Sequence, residues 1–113
     1  MIQVYGIKNC DSVKKALSFF KNHKLEYELH DFKTDKVSSE KISSWLRHVP
    51  IKTLFNSRST TYRELKLKEL ALEDEAKAQW LAKENMLIKR PVIEFDDTLV
   101  VGFNEENYKG LFL

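Results

Sequence analysis

Sulfur is scarce in this chain: one cysteine, Cys10, in 113 residues. A single cysteine excludes an internal disulfide and fits a reducing compartment. It also excludes a dithiol cycle within one CxxC motif, because the residue three beyond Cys10 is Val13. No apolar run is long enough for a membrane span. The opening MIQVYGIKNC reads as the start of a strand and not as a signal peptide. Charge of one sign is equally scarce. Lys and Arg number 19 against 17 Asp and Glu, a formal net charge of +2, too little bias for nucleic acid to be the main partner. The three histidines, His23, His30 and His48, lack metal-ligand spacing, so no metal is expected. There is no internal repeat and no low-complexity tail. What remains is the profile of a small cytoplasmic protein of one domain, with a hydrophobic content of 42% that suffices for a core.

The elements follow from periodicity. Residues 2 to 5 read as a strand, with Gly6 easing the turn after it. Residues 11 to 23 read as a helix whose apolar face is Val13, Ala16, Leu17 and Phe20. Leu25, Tyr27 and Leu29 alternate with Glu26, Glu28 and His30, a strand pattern. Two strands joined through a helix predict a right-handed βαβ unit with a parallel pair. A second helix is expected from Ser38 or Ser39, burying Ile42, Trp45, Leu46 and Val49, and ended by Pro50. Thr61 with Glu64 fits a capping box for a short helix. Residues 73 to 85 read as a helix with Glu73, Asp74 and Glu75 at its start and Ala76, Trp80 and Leu81 facing inward. After Pro91, residues 92 to 95 and 99 to 103 flank Asp96-Asp97 as a hairpin, and Asn104 caps a last helix running to Leu111. Trp45, Trp80, Phe19 and Phe20 read as core aromatics. The sum is a thioredoxin-like α/β fold with a four-stranded mixed sheet, βαβ then ββα. A helical insert at about residues 38 to 85, between the second and third strands, could wall one side of a site.

Three constellations could carry chemistry. Cys10 falls where the first strand hands over to the first helix. Helix starts present unpaired N–H groups and a positive dipole end, which stabilise a thiolate and lower a thiol pKa; the bland alternative is a buried, inert thiol. Lys8 and Lys14 add positive charge nearby or are simply solvated. Ser12 could donate to the thiolate or cap the helix. The second constellation is Arg90-Pro91: a cis proline would bring the region of Arg90 toward the cysteine loop. The guanidinium fork suits an oxyanion or carboxylate, or a surface ion pair. The third is the hydroxyl-rich run from Asn56 to Glu64, where Arg58 could hold an anion or sit in an ordinary loop.

These residues carry a resemblance. The run Val4-Tyr5-Gly6-Ile7-Lys8-Asn9-Cys10-Asp11-Ser12-Val13-Lys14-Lys15-Ala16, the run from Asn56 to Leu65, Ile88-Lys89-Arg90-Pro91-Val92 and Val101-Gly102-Phe103 before an acidic helix start are similar to the arsenate-reductase-like (ArsC/Spx) family of the thioredoxin superfamily. The resemblance spans nearly the whole chain. The form Ile-Lys-Asn-Cys-Asp is closest to a subgroup described as glutathione-dependent thiol reductases. By resemblance, Cys10 is the nucleophile and Arg90 one oxyanion clamp, and Lys8, Asn9, Ser12, Arg58 and Pro91 join an oxyanion- or glutathione-binding set. With Tyr62 and Leu65 matched to the family, the arsenate-binding arginine falls at Asn56, two residues before Arg58. A third arginine, expected in the final hairpin, has no counterpart in residues 99 to 104. The set is therefore incomplete for a multiply charged oxyanion.

The resemblance implies a monothiol reductase of thiols or oxyanions. Glutathione would be its co-substrate, with glutathione or a glutaredoxin-type thiol as donor and no bound cofactor. The chain is expected to be a monomer. The alternative is a noncatalytic adaptor, an Spx-like transcriptional regulator binding RNA polymerase. Those regulators carry a glycine at the polymerase interface where this chain has Lys52, and many use a CxxC switch that Val13 rules out here.

Overall fold

The computed structural model describes residues 1–113. Its elements are β1 (Ile2–Gly6), α1 (Asp11–Asn22), β2 (Tyr27–Asp31), α2 (Ser39–Trp45), α3 (Ile51–Leu54), α4 (Thr60–Glu64), α5 (Asp74–Lys83), β3 (Val92–Phe95), β4 (Thr98–Val101) and α6 (Glu105–Phe112). Two 3₁₀ turns, Leu67–Leu70 and Asn85–Leu87, flank α5. The chain divides into two compact units, Met1–Thr34 with Arg90–Leu113, and Asp35–Lys89. No helix is long and apolar enough to cross a membrane.

The first unit is the expected mixed sheet, in the order β2-β1-β3-β4. β1 runs parallel to β2 and antiparallel to β3, and β3 forms the hairpin with β4. This is the thioredoxin-like α/β fold. Alternation along β1 sends Ile2 and Val4 into a core shared with Ala16, Phe19 and Phe20 of α1, Ile93, Val100 and Tyr108 of α6. The rings of Phe20 and Tyr108 stack 5.7 Å apart. Each fully buried side chain of this size contributes about 1.5–3 kcal/mol by leaving water. The intervening residues of β1 meet a polar network: Tyr5 stacks on His30 at 4.5 Å, its hydroxyl donates to Glu94 at 3.2 Å, and His30 bonds to Gln3.

The turn after α1 explains one difference from the sequence pattern. Leu25 was expected in the second strand, yet its N–H donates to Phe20 O at 2.8 Å while that of Lys24 donates to Lys21 O at 3.1 Å. Lys24 takes φ 58°. Together these bonds make a Schellman closure, so Leu25 finishes the helix and the strand starts at Tyr27. In the hairpin, Asp96 takes φ 52° at the tight turn as expected. Asn104 caps α6, its Oδ1 accepting from the Asn107 N–H at 2.9 Å.

The second unit is the helical stretch. α2 stops at Trp45 and does not reach Pro50, because the next amides tighten onto carbonyls three residues back (Arg47 to Ser44, His48 to Trp45). Pro50 is instead the N-cap of α3, where a missing N–H costs nothing. Ser59, not Thr61, caps α4: its Oγ accepts from the Tyr62 N–H at 3.1 Å. Glu64 is therefore too far along the helix to complete a capping box. Val37, Ile42, Trp45, Leu54, Phe55, Leu67, Leu81, Leu87 and Ile88 form the buried apolar set; Leu46 and Val49, expected inside, are only half-buried, as is Trp80, with the Lys83 ammonium 4.8 Å over its ring. Asn85 is buried and satisfied: its side chain accepts from Val37 N–H at 2.7 Å and donates to Val37 O and Leu81 O.

Candidate active site

The site is assembled at one end of β1. Gly6 ends the strand where α1 passes closest; a Cβ there would stand 2.7 Å from Val13 Cγ2. This close approach turns the chain through Lys8 and Asn9, both exposed, into α1. Cys10 N–H donates to Ile7 O at 3.3 Å, and Cys10 O accepts from the Lys14 N–H at 2.9 Å. Cys10 is thus the N-cap of α1, in extended conformation (φ −95°, ψ 127°), and its side chain makes no capping bond. The thiol is free and partly exposed. It belongs to the N-cap residue, where a helix start leaves amides without intrahelical acceptors. Ser12, considered as a cap, lies instead in the first turn of α1 and half-buried. Asp11 occupies the same turn.

The loop is held from a neighbouring strand. Gly6 pairs with Asp31 at the end of β2, and Gly6 O accepts from Phe32 N–H at 2.8 Å. The Asp31 carboxylate accepts from the Lys8 N–H at 3.3 Å through one oxygen and from the Lys33 N–H at 2.9 Å through the other. Asp31 is the positioning residue that sequence reasoning missed. Its signal was a strand-ending Asp before a polar turn, which gives an Asx turn but does not announce a partner 23 residues away.

Arg90 and Pro91 arrive from the other side. The β1–β3 ladder ends at Tyr5 opposite Val92, so Arg90-Pro91 enters the sheet beside the end of β1 from which the cysteine loop departs. The peptide bond between them is cis. Pro91 is buried, and its carbonyl accepts from the Gly102 N–H at 2.8 Å. Gly102 takes φ 85°, a conformation that suits glycine. Arg90 is half-buried, with its Nε closed off from solvent. The topology thus brings Lys8, Asn9, Cys10, Ser12, Arg90 and Pro91 to one edge of the first unit. Arg58 lies in the second unit, exposed in the turn before α4, where its N–H donates to Asn56 Oδ1 at 3.0 Å. No group of three or more His, Cys, Asp or Glu side chains is placed to hold a metal ion.

A lone thiol at a helix start beside a cis-proline strand, on a four-stranded mixed sheet, defines a thioredoxin-fold protein with one cysteine. Residues 5–111 match the ArsC family, and the chain belongs to it. An uncharacterized protein of Haemophilus influenzae is 40% identical over 113 residues, 99% of each chain. A solved YffB protein superposes with a TM-score of 0.90 at 35% identity, covering 97% of both chains. An arsenate reductase (ArsC) related protein from Brucella melitensis gives a TM-score of 0.76 at 33% identity, covering 98% of this chain and 93% of that one. Global transcriptional regulators named Spx are more distant relatives; that of Lactiplantibacillus plantarum is 24% identical over 96% of this chain and 84% of its own.

Proposed function

We propose that the protein is a monothiol reductase that uses Cys10 as its nucleophile and glutathione as its external thiol. The observation that carries the reading is the free, partly exposed thiol at the N-cap of α1. The Cys10 thiolate attacks one sulfur of a substrate disulfide. The new sulfur–sulfur bond forms as the old one breaks, and the other half leaves as a thiolate with the bonding pair. A glutathione thiolate then attacks Cys10 Sγ and expels the substrate thiolate. A second glutathione restores the Cys10 thiolate and leaves as oxidised glutathione. In sum, one disulfide is reduced and two glutathiones are oxidised. Arg90 supplies a fork of donors for a carboxylate of the incoming thiol. A disulfide suits the site better than arsenate, since the arginine set is incomplete at Asn56 and over residues 99 to 104.

The test is reduction of a small disulfide, hydroxyethyl disulfide, by glutathione, coupled to glutathione reductase. Wild type is expected to turn over above the uncatalysed rate and Cys10→Ser is not. Equal rates for the two would overturn the reading.

The Spx relatives favour a second reading, an adaptor that binds a partner without turnover. Affinity capture with wild type and Cys10→Ser separates the two. Partners retained equally by both support the adaptor, and a partner held only as a mixed disulfide supports the reductase.

A further inference from the structure

The sheet ends at β4, whose outer edge pairs with no other strand. One step beyond the ladder pair of Val92 with Val101, the Gly102 N–H donates to Pro91 O at 2.8 Å. Alternation from that bond turns the backbone of Val100 and Thr98 toward β3, and that of Leu99 and Val101 away from it. The register runs from Thr98 to Val101 without a bulge, and these residues include no charge and no proline. Protein edges are commonly blunted by charges, prolines or bulges, and β4 has none of them. The opposite edge differs. Phe32 N–H donates to Gly6 O, so Tyr27, Leu29 and Asp31 turn outward in β2. Glu26, Glu28 and Asp31 make that edge acidic, and its Asp31 carbonyl already accepts from the Thr34 N–H at 3.0 Å.

We infer that the β4 edge pairs with the β4 edge of a second copy of this chain, antiparallel and about a two-fold axis, joining the two sheets into one. The edge is complementary to itself. Centring the axis on Val100 sets Leu99 opposite Val101 of the second copy, and Val101 opposite its Leu99. These are the residues whose N–H and C=O groups turn outward, so each pair exchanges both of its backbone bonds. Val100, which packs in the core with Ile93, meets its own copy across the axis. Thr98 meets Gly102, which has no side chain to obstruct it. No charged residue opposes another between residues 98 and 102, and Asp96 and Asp97 fall outside the paired stretch. β2 offers no such match. There a two-fold pairing either sets Glu28 against its own copy, which repels, or needs the Asp31 carbonyl that Thr34 holds. The contact is short, below the area of a permanent interface, and the dissociation constant is expected on the order of 0.1 mM. The inference is independent of the chemistry at Cys10.

The test is sedimentation equilibrium of the full chain from about 10 µM to about 1 mM, because association follows concentration. The average mass of wild type is expected to rise from that of one chain toward that of two. Leu99→Pro removes an N–H that points away from β3 and so leaves the hairpin its ladder. It is expected to weaken association by about tenfold or more. A second readout needs no variant and decides the matter if Leu99→Pro fails to fold. In wild type, amide hydrogen exchange at Leu99 and Val101 is expected to slow as concentration rises, while that of Val100, which faces β3, stays constant. A mass that remains that of one chain at about 1 mM would overturn the inference. So would self-association that leaves exchange at Leu99 and Val101 unchanged, or that a folded Leu99→Pro retains in full.

Discussion

Cys10 fills a position where serine, threonine or aspartate would accept a hydrogen bond from the helix, and it makes none. Cys10→Ser is therefore expected to stabilise the protein by about 1 kcal/mol, a rise in Tm of about 4 °C for a chain of this size, while abolishing glutathione-dependent turnover. Calorimetry and the coupled assay on one preparation check both halves. A fall in Tm would mean that the sulfur is packed structurally and not displayed. Asp31 yields a second expectation. Asp31→Ala removes the acceptor of two backbone N–H groups, at a cost of about 1 kcal/mol where water reaches them. It should also slow alkylation of Cys10 in the folded protein, because the loop that presents the sulfur loosens. Unchanged alkylation with lowered stability would confine Asp31 to a structural part. Among single residues, Cys10 was readable because the strand-to-helix junction is local. Asp31 was not, because its partner is 23 residues away and only the register of β1 with β2 brings the two together.

At the scale of elements, the junction of β1 and α1 depends on the absence of a side chain at Gly6. Gly6→Ala puts a methyl group 2.7 Å from Val13 Cγ2 and is expected to cost about 1–3 kcal/mol, as overpacking does. The double variant with Val13→Ala should cost less than the sum of the two single changes, because the second change relieves the clash made by the first. Urea unfolding of the four proteins measures the coupling, and strict additivity would show that the approach is not tight. Elements with strong periodicity and local caps were legible: α1 with Val13, Ala16 and Phe20 buried, the hairpin turning at Asp96, and α6 behind Asn104. Those that depend on which of several polar residues wins were not. Ser59 outcompetes Thr61 because its hydroxyl reaches the Tyr62 amide. Leu25 leaves the strand because the Schellman closure claims its N–H. Pro50 caps α3 after α2 has already tightened and ended.

At the scale of the whole molecule, the chain's two ends meet in one sheet, since β3 pairs with β1. Tyr108 fastens the last helix to that sheet. It is fully buried in the core, and its hydroxyl donates to Gly102 O at 2.7 Å. Burial holds its phenol well above the ordinary value of 10.0. In the unfolded chain the phenol ionises near pH 10, so between that pH and the higher folded value the unfolded state binds fewer protons. Stability contributed by the neutral phenol is complete below about pH 10 and is lost as pH rises further. Urea unfolding at pH 9 and pH 11 should show wild type losing more stability than Tyr108→Phe over the same interval. Equal losses would place the hydroxyl in contact with water. The sequence conveyed this architecture through its βαβ and ββα order. The edge where Cys10 and Arg90-Pro91 come together is a product of strand pairing, and it was visible beforehand only through family resemblance.

The most direct measurement is the rate at which iodoacetamide alkylates Cys10 at neutral pH in the folded protein, against the same chain unfolded in urea. A sulfur displayed at the start of α1 should react in the folded state at a rate of the same order as in the unfolded chain, without waiting for the chain to unfold. A folded protein alkylated only as fast as it unfolds would contradict the assignment of Cys10 as the nucleophile.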